Sequence, residues 1–161
     1  MGSGKSTIGA ILAKKLNLRF FDIDFIIEKK TKMKIFEIFK IKGENEFRKL
    51  EKKYTLKFLN RPQCVISLGG GSFLNEEIRR EAEKKGICIW LNWSLKTIIV
   101  RIRKSKKRPI ILSLSDNEIK NLIINRSKIY SKAEIKINCE NMSKLEIVNK
   151  ITEATGLWFY L

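Results

Sequence analysis

Proline and cysteine are scarce in this sequence, and long apolar runs are missing from it. Only two of its 161 residues are prolines and 43% are hydrophobic, a composition typical of a single globular domain. No segment is apolar and long enough to span a bilayer, so we predict no membrane partner. The three cysteines, Cys64, Cys88 and Cys139, are far apart and form no Cys-x-x-Cys pair, which favours a reducing cytoplasm.

Acidic residues are also few, with 17 Asp and Glu against 34 Lys and Arg and a formal net charge of +17. The lysines are scattered along most of the predicted helices, and no basic motif interleaved with aromatic residues is visible. We therefore interpret them as solvated helix faces and predict no nucleic-acid partner. The positive field would still favour an anionic substrate and a nucleotide.

The first seven residues match the second half of the phosphate-binding pattern Gly-x-x-x-x-Gly-Lys-Ser/Thr and run directly into an apolar helical stripe. In such a loop the backbone surrounds phosphate oxygens, Lys5 contacts the terminal phosphates, and the Ser6 hydroxyl coordinates Mg²⁺. A flexible, solvated N-terminus is the alternative, and the helical stripe argues against it. The predicted ATP contacts in this loop are Gly2, Ser3, Gly4, Lys5, Ser6 and Thr7.

The first glycine of the pattern, and the buried strand that normally feeds it, would lie before Met1. That strand is central in folds of this kind, so its loss would leave a hydrophobic slot in the sheet and remove N–H donors from the phosphate site. We expect the complete chain to carry about ten more residues, an apolar strand and a Gly-x pair, upstream of Met1.

Apolar strands alternate with helices along the rest of the chain, which predicts an α/β fold with a parallel sheet covered by helices on both faces. Ligands gather at the carboxyl ends of such strands. The predicted strands lie near 18–24, 64–68, 87–91 and 135–138. The predicted helices lie near 5–16, 25–30, 35–41, 44–59, 75–85, 94–104, 117–130 and 143–154, with Gly43 as a breaker.

Two acids follow the first of these strands. Because alternate residues of a strand share a face, Asp22 and Asp24 are predicted to point the same way. The alternative is an acidic pair that starts a helix and faces water.

Six short motifs follow one another in order: Gly-Ser-Gly-Lys-Ser-Thr at 2–7, Asp-x-Asp at 22–24, Gly-Glu-x-Glu-Phe-Arg at 43–48 with Glu51 after it, Gly-Gly-Gly at 69–71, Arg-Pro at 108–109, and Arg-x-x-x-Tyr at 126–130. Their ordered combination resembles the shikimate kinase family over nearly the whole chain. The resemblance implies a three-layer phosphate-loop kinase fold in one domain, 1–161. Within it, the phosphate loop is 1–7, the substrate-binding region about 24–59 and the lid about 104–117.

The resemblance also implies Mg²⁺-dependent transfer of the ATP γ-phosphoryl group to the 3-hydroxyl of shikimate, a step of aromatic amino-acid biosynthesis, by a monomer. It implies catalytic roles for Lys5, for Asp24 on the substrate hydroxyl, and for Arg108 as a lid arginine. Asp22 would serve the Mg²⁺ shell, and Arg101 would stack on adenine.

For the substrate, the resemblance implies that Arg48, held by Glu51, and Arg126 clamp the carboxylate, while Gly70 and Gly71 admit the ring hydroxyls. From the residues alone, Arg48 with Glu51 could equally be an ordinary exposed i,i+3 pair. Arg101 and Arg108 could face water. Two other functions stay open: another phosphate-loop small-metabolite kinase, such as a gluconate-type kinase, and a truncated relative without catalysis.

Overall fold

The computed structural model describes residues 2–104 and 114–157 of the chain. Within these ranges helices and short strands alternate, as the apolar pattern predicts. The helices are α1 (Lys5–Lys15), α2 (Ile23–Thr31), α3 (Ile35–Leu59), α4 (Glu76–Lys85), α5 (Leu95–Lys104), α6 (Asp116–Tyr130) and α7 (Lys144–Thr155). The strands are β1 (Arg19–Asp22), β2 (Cys64–Ser67), β3 (Ile89–Asn92) and β4 (Ile135–Asn138), and a 3₁₀ turn covers Ser72–Leu74.

Several helices begin at a short polar side chain that accepts a hydrogen bond from the first turn. Asn75 accepts from the Ile78 N–H at 3.1 Å, Ser115 from the Glu118 N–H at 3.3 Å, and Ser143 from the Glu146 N–H at 3.2 Å. The Ser94 hydroxyl likewise accepts from the Thr97 N–H at 3.2 Å and so caps α5. These caps set the helix starts that the sequence predicts.

The long helix α3 contains the predicted break at Gly43. This residue has φ 79° and ψ 169°, outside the helical region, so two helical segments meet at a kink there. The left-handed φ favours glycine at this position. The kink separates the segment that begins at Ile35 from the segment that carries Arg48 and Glu51.

The end of β1 differs from the prediction. The strand stops at Asp22, whose Oδ1 accepts a hydrogen bond of 3.2 Å from the Phe25 N–H and so caps α2. Asp24 already lies in the first turn of that helix. The prediction that Asp22 and Asp24 share one strand face is therefore wrong, because the Asp22 carboxylate starts a helix where a longer strand was expected.

The strands form two parallel pairs. Arg19 to Asp22 of β1 lie opposite Cys64 to Ser67 of β2, and Ile89 to Asn92 of β3 lie opposite Ile135 to Asn138 of β4. Among the described residues the two pairs share no hydrogen-bonded ladder, so the sheet is parallel as predicted but divided.

A cavity of about 590 Å³ lies between β2 and β3. Apolar side chains of both strands and of α1 line most of it, including Val65, Ile66, Ile89, Leu91, Ile8 and Leu12. The cavity thus separates the two strand pairs of the described residues. The half-buried state of Val65 and Ile89 has the same cause, since neither strand has a neighbour on that side in the described part of the chain.

Three hydrophobic clusters hold the elements together. One joins α1, β3, β4 and α7, a second joins α5 to α6, and a third packs α2 against both segments of α3 around Ile23, Ile27, Ile38 and Phe47. In the ranges 2–104 and 114–157, no helix has the length and apolarity that a membrane crossing requires.

The reactivity of Cys88 provides a test of the cavity, because the half-buried Cys88 side chain is part of the cavity wall. Burial, and then the negative charges of Glu83 and Glu134, raise the pKa of the Cys88 thiol to about 11. Since only the thiolate is nucleophilic, we expect alkylation of Cys88 at pH 8 to be roughly a hundredfold slower than in the urea-unfolded chain.

Peptide mapping after timed exposure to iodoacetamide measures this rate. The rate in the folded chain should keep rising through pH 9 to 10, because the pKa is raised and the thiolate fraction is still small there. A rate that levels off near pH 9, as in the unfolded chain, would contradict the expected burial.

Candidate active site

A tight backbone turn precedes α1. Gly2 and Gly4 have φ of 66° and 83°, values that a side chain disfavours. The first turn of α1 contains no acidic residue, and its N–H groups have no partners within the helix. A helix start of this kind attracts anions, as the phosphate-loop motif requires.

The side chains of this turn divide between the cavity and the solvent. Ser3 and Lys5 line the cavity, whereas Ser6 and Thr7 are exposed. The predicted lysine therefore lines the same cavity as Ser67 and Asn92, the last residues of β2 and β3.

Arg48 of α3 forms a network with two carboxylates. Its Nη1 donates to Glu51 Oε2 at 2.7 Å, and its Nε and Nη2 donate to Glu44 Oε1 at 3.2 and 2.9 Å. Glu51 is only 2% exposed, so this is not the exposed surface pair that the spacing alone would allow. Burial opposes the positive charge, but the hydrogen bonds and charges of Glu51 and Glu44 outweigh it and raise the pKa of Arg48.

The three glycines after β2 pass directly over this network. A Cβ at Gly71 would overlap the Arg48 guanidinium. A Cβ at Gly69 would overlap Glu51 Oε1, and it would lie 2.9 Å from Asp24 Oδ1 and 3.0 Å from Ser72 Oγ. Only a chain without side chains at these positions can approach so closely, and Asp24, Glu51 and Arg48 therefore surround one loop.

The middle glycine is held from the other side by α6. The Tyr130 hydroxyl donates a hydrogen bond to the Gly70 carbonyl, and the Tyr130 ring lies 6.3 Å from the ring of Trp90 on β3. Arg126 is one helical turn before Tyr130 and lines the cavity together with Gly69 and Gly70. The Arg-x-x-x-Tyr motif thus places Tyr130 on the glycine loop and Arg126 on the cavity that the loop borders.

Arg101 of α5 lies beside the phosphate loop. A Cβ at Gly2 would be 3.6 Å from Arg101 Cβ, and the guanidinium lies over the Trp93 ring, with Cζ 3.6 Å from the centroid. Arg108 and most of the predicted lid, 104–117, lie outside the described residues.

Sequence reasoning missed three participants. Glu44 was one member of a motif but was given no role, although its i,i+4 spacing from Arg48 is a signal for the ion pair. Gly69 was treated only as part of a run. Trp93 left no signal at all, because its partner Ser3 is 90 residues away in the sequence.

Mg²⁺ prefers oxygen ligands and commonly uses one or two protein groups together with nucleotide phosphates. The Ser6 hydroxyl and the Asp22 carboxylate have the right chemistry for that ion. Among residues 2–104 and 114–157 no group of three or more His, Cys, Asp or Glu side chains could hold a metal alone.

A phosphate loop ahead of α1, with an arginine-carboxylate centre and a glycine loop at the carboxyl end of β2, defines a phosphate-loop α/β protein. Comparison with known proteins narrows this class. The family model described as shikimate kinase matches residues 1–155, and the chain belongs to the shikimate kinase family.

Individual relatives agree with this assignment. The shikimate kinase of Persephonella marina is 45% identical over 151 residues, which cover 94% of this chain and 92% of that protein. The crystal structure of shikimate kinase from Aquifex aeolicus has a TM-score of 0.84 at 36% identity, over 97% of this chain and 91% of that one. Shikimate kinase from Acinetobacter baumannii in complex with shikimate has a TM-score of 0.90 at 28% identity, over 96% and 88%.

The glycine loop allows a matched test of close packing. We expect Gly69→Ala to lower the free energy of unfolding by about 1–3 kcal/mol, because the new methyl group overlaps the carboxylate of Glu51, which is buried and hydrogen-bonded to Arg48. Gly86→Ala is the control, since a Cβ there meets nothing within 4 Å and should change stability by less than about 0.5 kcal/mol. Urea unfolding of both variants measures the difference, and equal stabilities would contradict the packing described.

Proposed function

We propose that the chain transfers the γ-phosphoryl group of ATP to the 3-hydroxyl of shikimate, producing shikimate 3-phosphate. The observation that carries this proposal is the convergence of Asp24, Arg48 and Glu51 on the glycine loop, in a member of the shikimate kinase family. A cyclic substrate with a carboxylate and several hydroxyls needs a planar cation, a carboxylate base and exposed backbone groups close together.

Arg48 would bind the substrate carboxylate, since a guanidinium can donate two parallel hydrogen bonds to it. Glu51 and Glu44 hold Arg48 in one orientation at 2.7 and 2.9 Å, so little side-chain freedom remains to be lost on binding. Arg126 would contribute the second cation from α6. Gly70 and Gly71 would offer backbone groups to the ring hydroxyls.

Asp24 would orient the attacking 3-hydroxyl and accept its proton. Asp24 lies at the start of α2, and its Oδ1 is close to Gly69. The carboxylate therefore faces the glycine loop that would hold the ring. Phosphoryl transfer depends mainly on positioning and on compensation of charge, and one placed carboxylate is enough to direct the hydroxyl.

The nucleotide would occupy the phosphate loop. The backbone of residues 2–7 would hold the phosphate oxygens, and Lys5 would neutralise charge at the β and γ phosphates. Mg²⁺ would be held by Ser6 and Asp22, and when bound it compensates charge on the phosphates. Arg101 would contact the base, and Arg108 would act from the lid; the role of Arg108 rests on the family resemblance.

The test is Mg²⁺-dependent release of ADP with and without shikimate, with gluconate and nucleoside monophosphates as alternative acceptors. We expect release to be stimulated by shikimate.

Asp24→Asn should lower turnover by about 10²-fold or more and leave ATP binding unchanged, because the amide still fits but accepts no proton. Normal turnover in this variant would refute the role of Asp24, and stimulation by another acceptor alone would refute the substrate.

The same assay should include a chain with a five-residue apolar strand and a Gly-x pair fused ahead of Met1. This second arm separates a failure of folding from a failure of the proposed chemistry. A folded, extended chain that ignores shikimate and the other acceptors would favour a relative without catalysis.

Gly71→Ala provides a separate test of the substrate site. The added methyl group would displace the Arg48 guanidinium and weaken its hydrogen bond to the buried Glu51, so we expect the free energy of unfolding to fall by about 1–3 kcal/mol. We expect the KM for shikimate to rise about tenfold or more, while the KM for ATP changes less than about twofold. Gly86→Ala is again the control, and equal rises in the two KM values would contradict the assignment of Arg48 to the substrate.

A further inference from the structure

Trp93 lies at the junction of the phosphate loop and the first turn of α5. It follows β3 directly and is half-buried. Its side chain packs against two of the three hydrophobic clusters, the one around α1 and α7 and the one between α5 and α6. Movement of the Trp93 side chain would therefore disturb the packing of both clusters.

The first polar contact of Trp93 is with the phosphate loop. The indole Nε1–H donates a hydrogen bond of 3.0 Å to the Ser3 carbonyl. Ser3 is buried, so this carbonyl would lose its partner in a low-dielectric environment if the indole were removed. The hydrogen bond ties the conformation of the loop to the end of β3.

The second contact is with Arg101. Its Cζ lies 3.6 Å from the centroid of the Trp93 ring, a close cation–π contact. The negative charge of Glu140 lies near the same guanidinium. Hydrogen bonds from Thr97 and from the Ser94 N–H, and then the charge of Arg101, lower the pKa of that glutamate and keep it ionised.

The two contacts place a planar cation beside the phosphate loop. Gly2 packs against Arg101 Cβ and Ile102 Cγ1, since a Cβ on Gly2 would lie 3.6 Å from each. A guanidinium has two flat faces, and the indole covers one of them. The other face can stack on a second planar group, such as the base of a nucleotide whose phosphates occupy the loop.

We propose that Trp93 is a positioning residue for the nucleotide, acting on the phosphates through Ser3 and on the base through Arg101. This inference rests on the proposed function, because it takes a nucleoside triphosphate as the phosphoryl donor. The two actions are separable, since the first needs only the indole N–H and the second needs only an aromatic face.

Calorimetric titration with ADP and with pyrophosphate separates the effect of Trp93 on the phosphates from its effect on the base. Trp93→Phe keeps an aromatic face but loses the N–H, so it should weaken both ligands by the same factor, about three- to tenfold. Trp93→Leu also loses the face, and it should weaken ADP by about a further two- to fivefold while pyrophosphate changes no more than in Trp93→Phe. In the steady state the KM for ATP should rise in both variants and the KM for shikimate should change less than about twofold.

Trp90→Phe is the matched control. Trp90 lies three residues earlier, on β3, and its ring is 5.0 Å from Lys136 Nζ and 6.3 Å from the Tyr130 ring. The same substitution there removes an indole whose contacts differ from those of Trp93. It should leave ADP and pyrophosphate binding unchanged. Arg101→Lys keeps the positive charge and the indole, so it should weaken ADP alone and provides a second test if a Trp93 variant does not fold.

Unchanged binding of both ligands in Trp93→Phe would overturn the proposal, and so would equal losses of ADP and pyrophosphate in Trp93→Leu relative to Trp93→Phe. An unsubstituted chain that binds neither ligand would also overturn it. A chain that binds ADP with the expected dependence on Trp93, but shows no turnover with shikimate, would refute the proposed function and leave the role of Trp93 intact.

Discussion

The parallel pairing of β1 with β2 is the contact on which the candidate site depends. Its register places Asp22 opposite Ser67, so both strands end at the same edge. Beyond that edge the chain continues into α2 on one side and into the glycine loop on the other. Asp24 and Gly69 can lie in contact only because the two strands stop together. A shift of the register by one residue would separate them and would also turn the strand side chains to the opposite face.

The buried ion pair between Arg48 and Glu51 adds little net free energy to the stability of the fold. Glu51 is almost fully buried, and removing a carboxylate from water costs several kcal/mol, on the order of what a close cation returns. The pair lies next to Phe47, a core residue whose ring is 5.2 Å from the Arg48 guanidinium. Its effect is to fix one orientation of Arg48 under the glycine loop. Rigidity at this point serves recognition of a ligand more than it serves folding.

The apolar cavity divides the sheet into two pairs of strands. Because β2 and β3 share no ladder in the described residues, contact between the two halves depends on other elements. Helix α1 packs against β1 and β2 and against α7, and the phosphate loop in front of it reaches α5 through Gly2. Trp93 strengthens that link through Ser3 and Arg101. The loop that would hold phosphates is thus also a structural bridge, so a ligand bound there would stabilise both halves.

Most of the local structure could be predicted from the sequence, because its causes are local. Helices begin next to Ser94 and Ser143, Gly43 interrupts α3, and the apolar run at Cys64–Ser67 forms a strand, all as predicted. The one clear error has a local cause too: the strand was expected to reach Asp24 but ends at Asp22, because the Asp22 carboxylate accepts a hydrogen bond from the Phe25 N–H and caps α2. The ordered motifs were sufficient to indicate the family, which the comparisons confirm.

The candidate site could be predicted only as a set of residues, not as an arrangement. Spacing placed Arg48 near Glu51 on a helix, but it could not distinguish an exposed pair from a buried one, because burial depends on what packs over the helix. The contact of Trp93 with Ser3 and the contact of Tyr130 with Gly70 join residues 90 and 60 positions apart. Pairings at such separations are set by the packing of helices and strands against one another, and no pattern of neighbouring residues encodes them.

The sequence by itself determined the elements, their caps and the identity of the phosphate loop, because these depend on side chains within a few residues of one another. The tertiary structure decided which carboxylates face the glycine loop and which aromatic ring holds Arg101, because only folding brings those groups together.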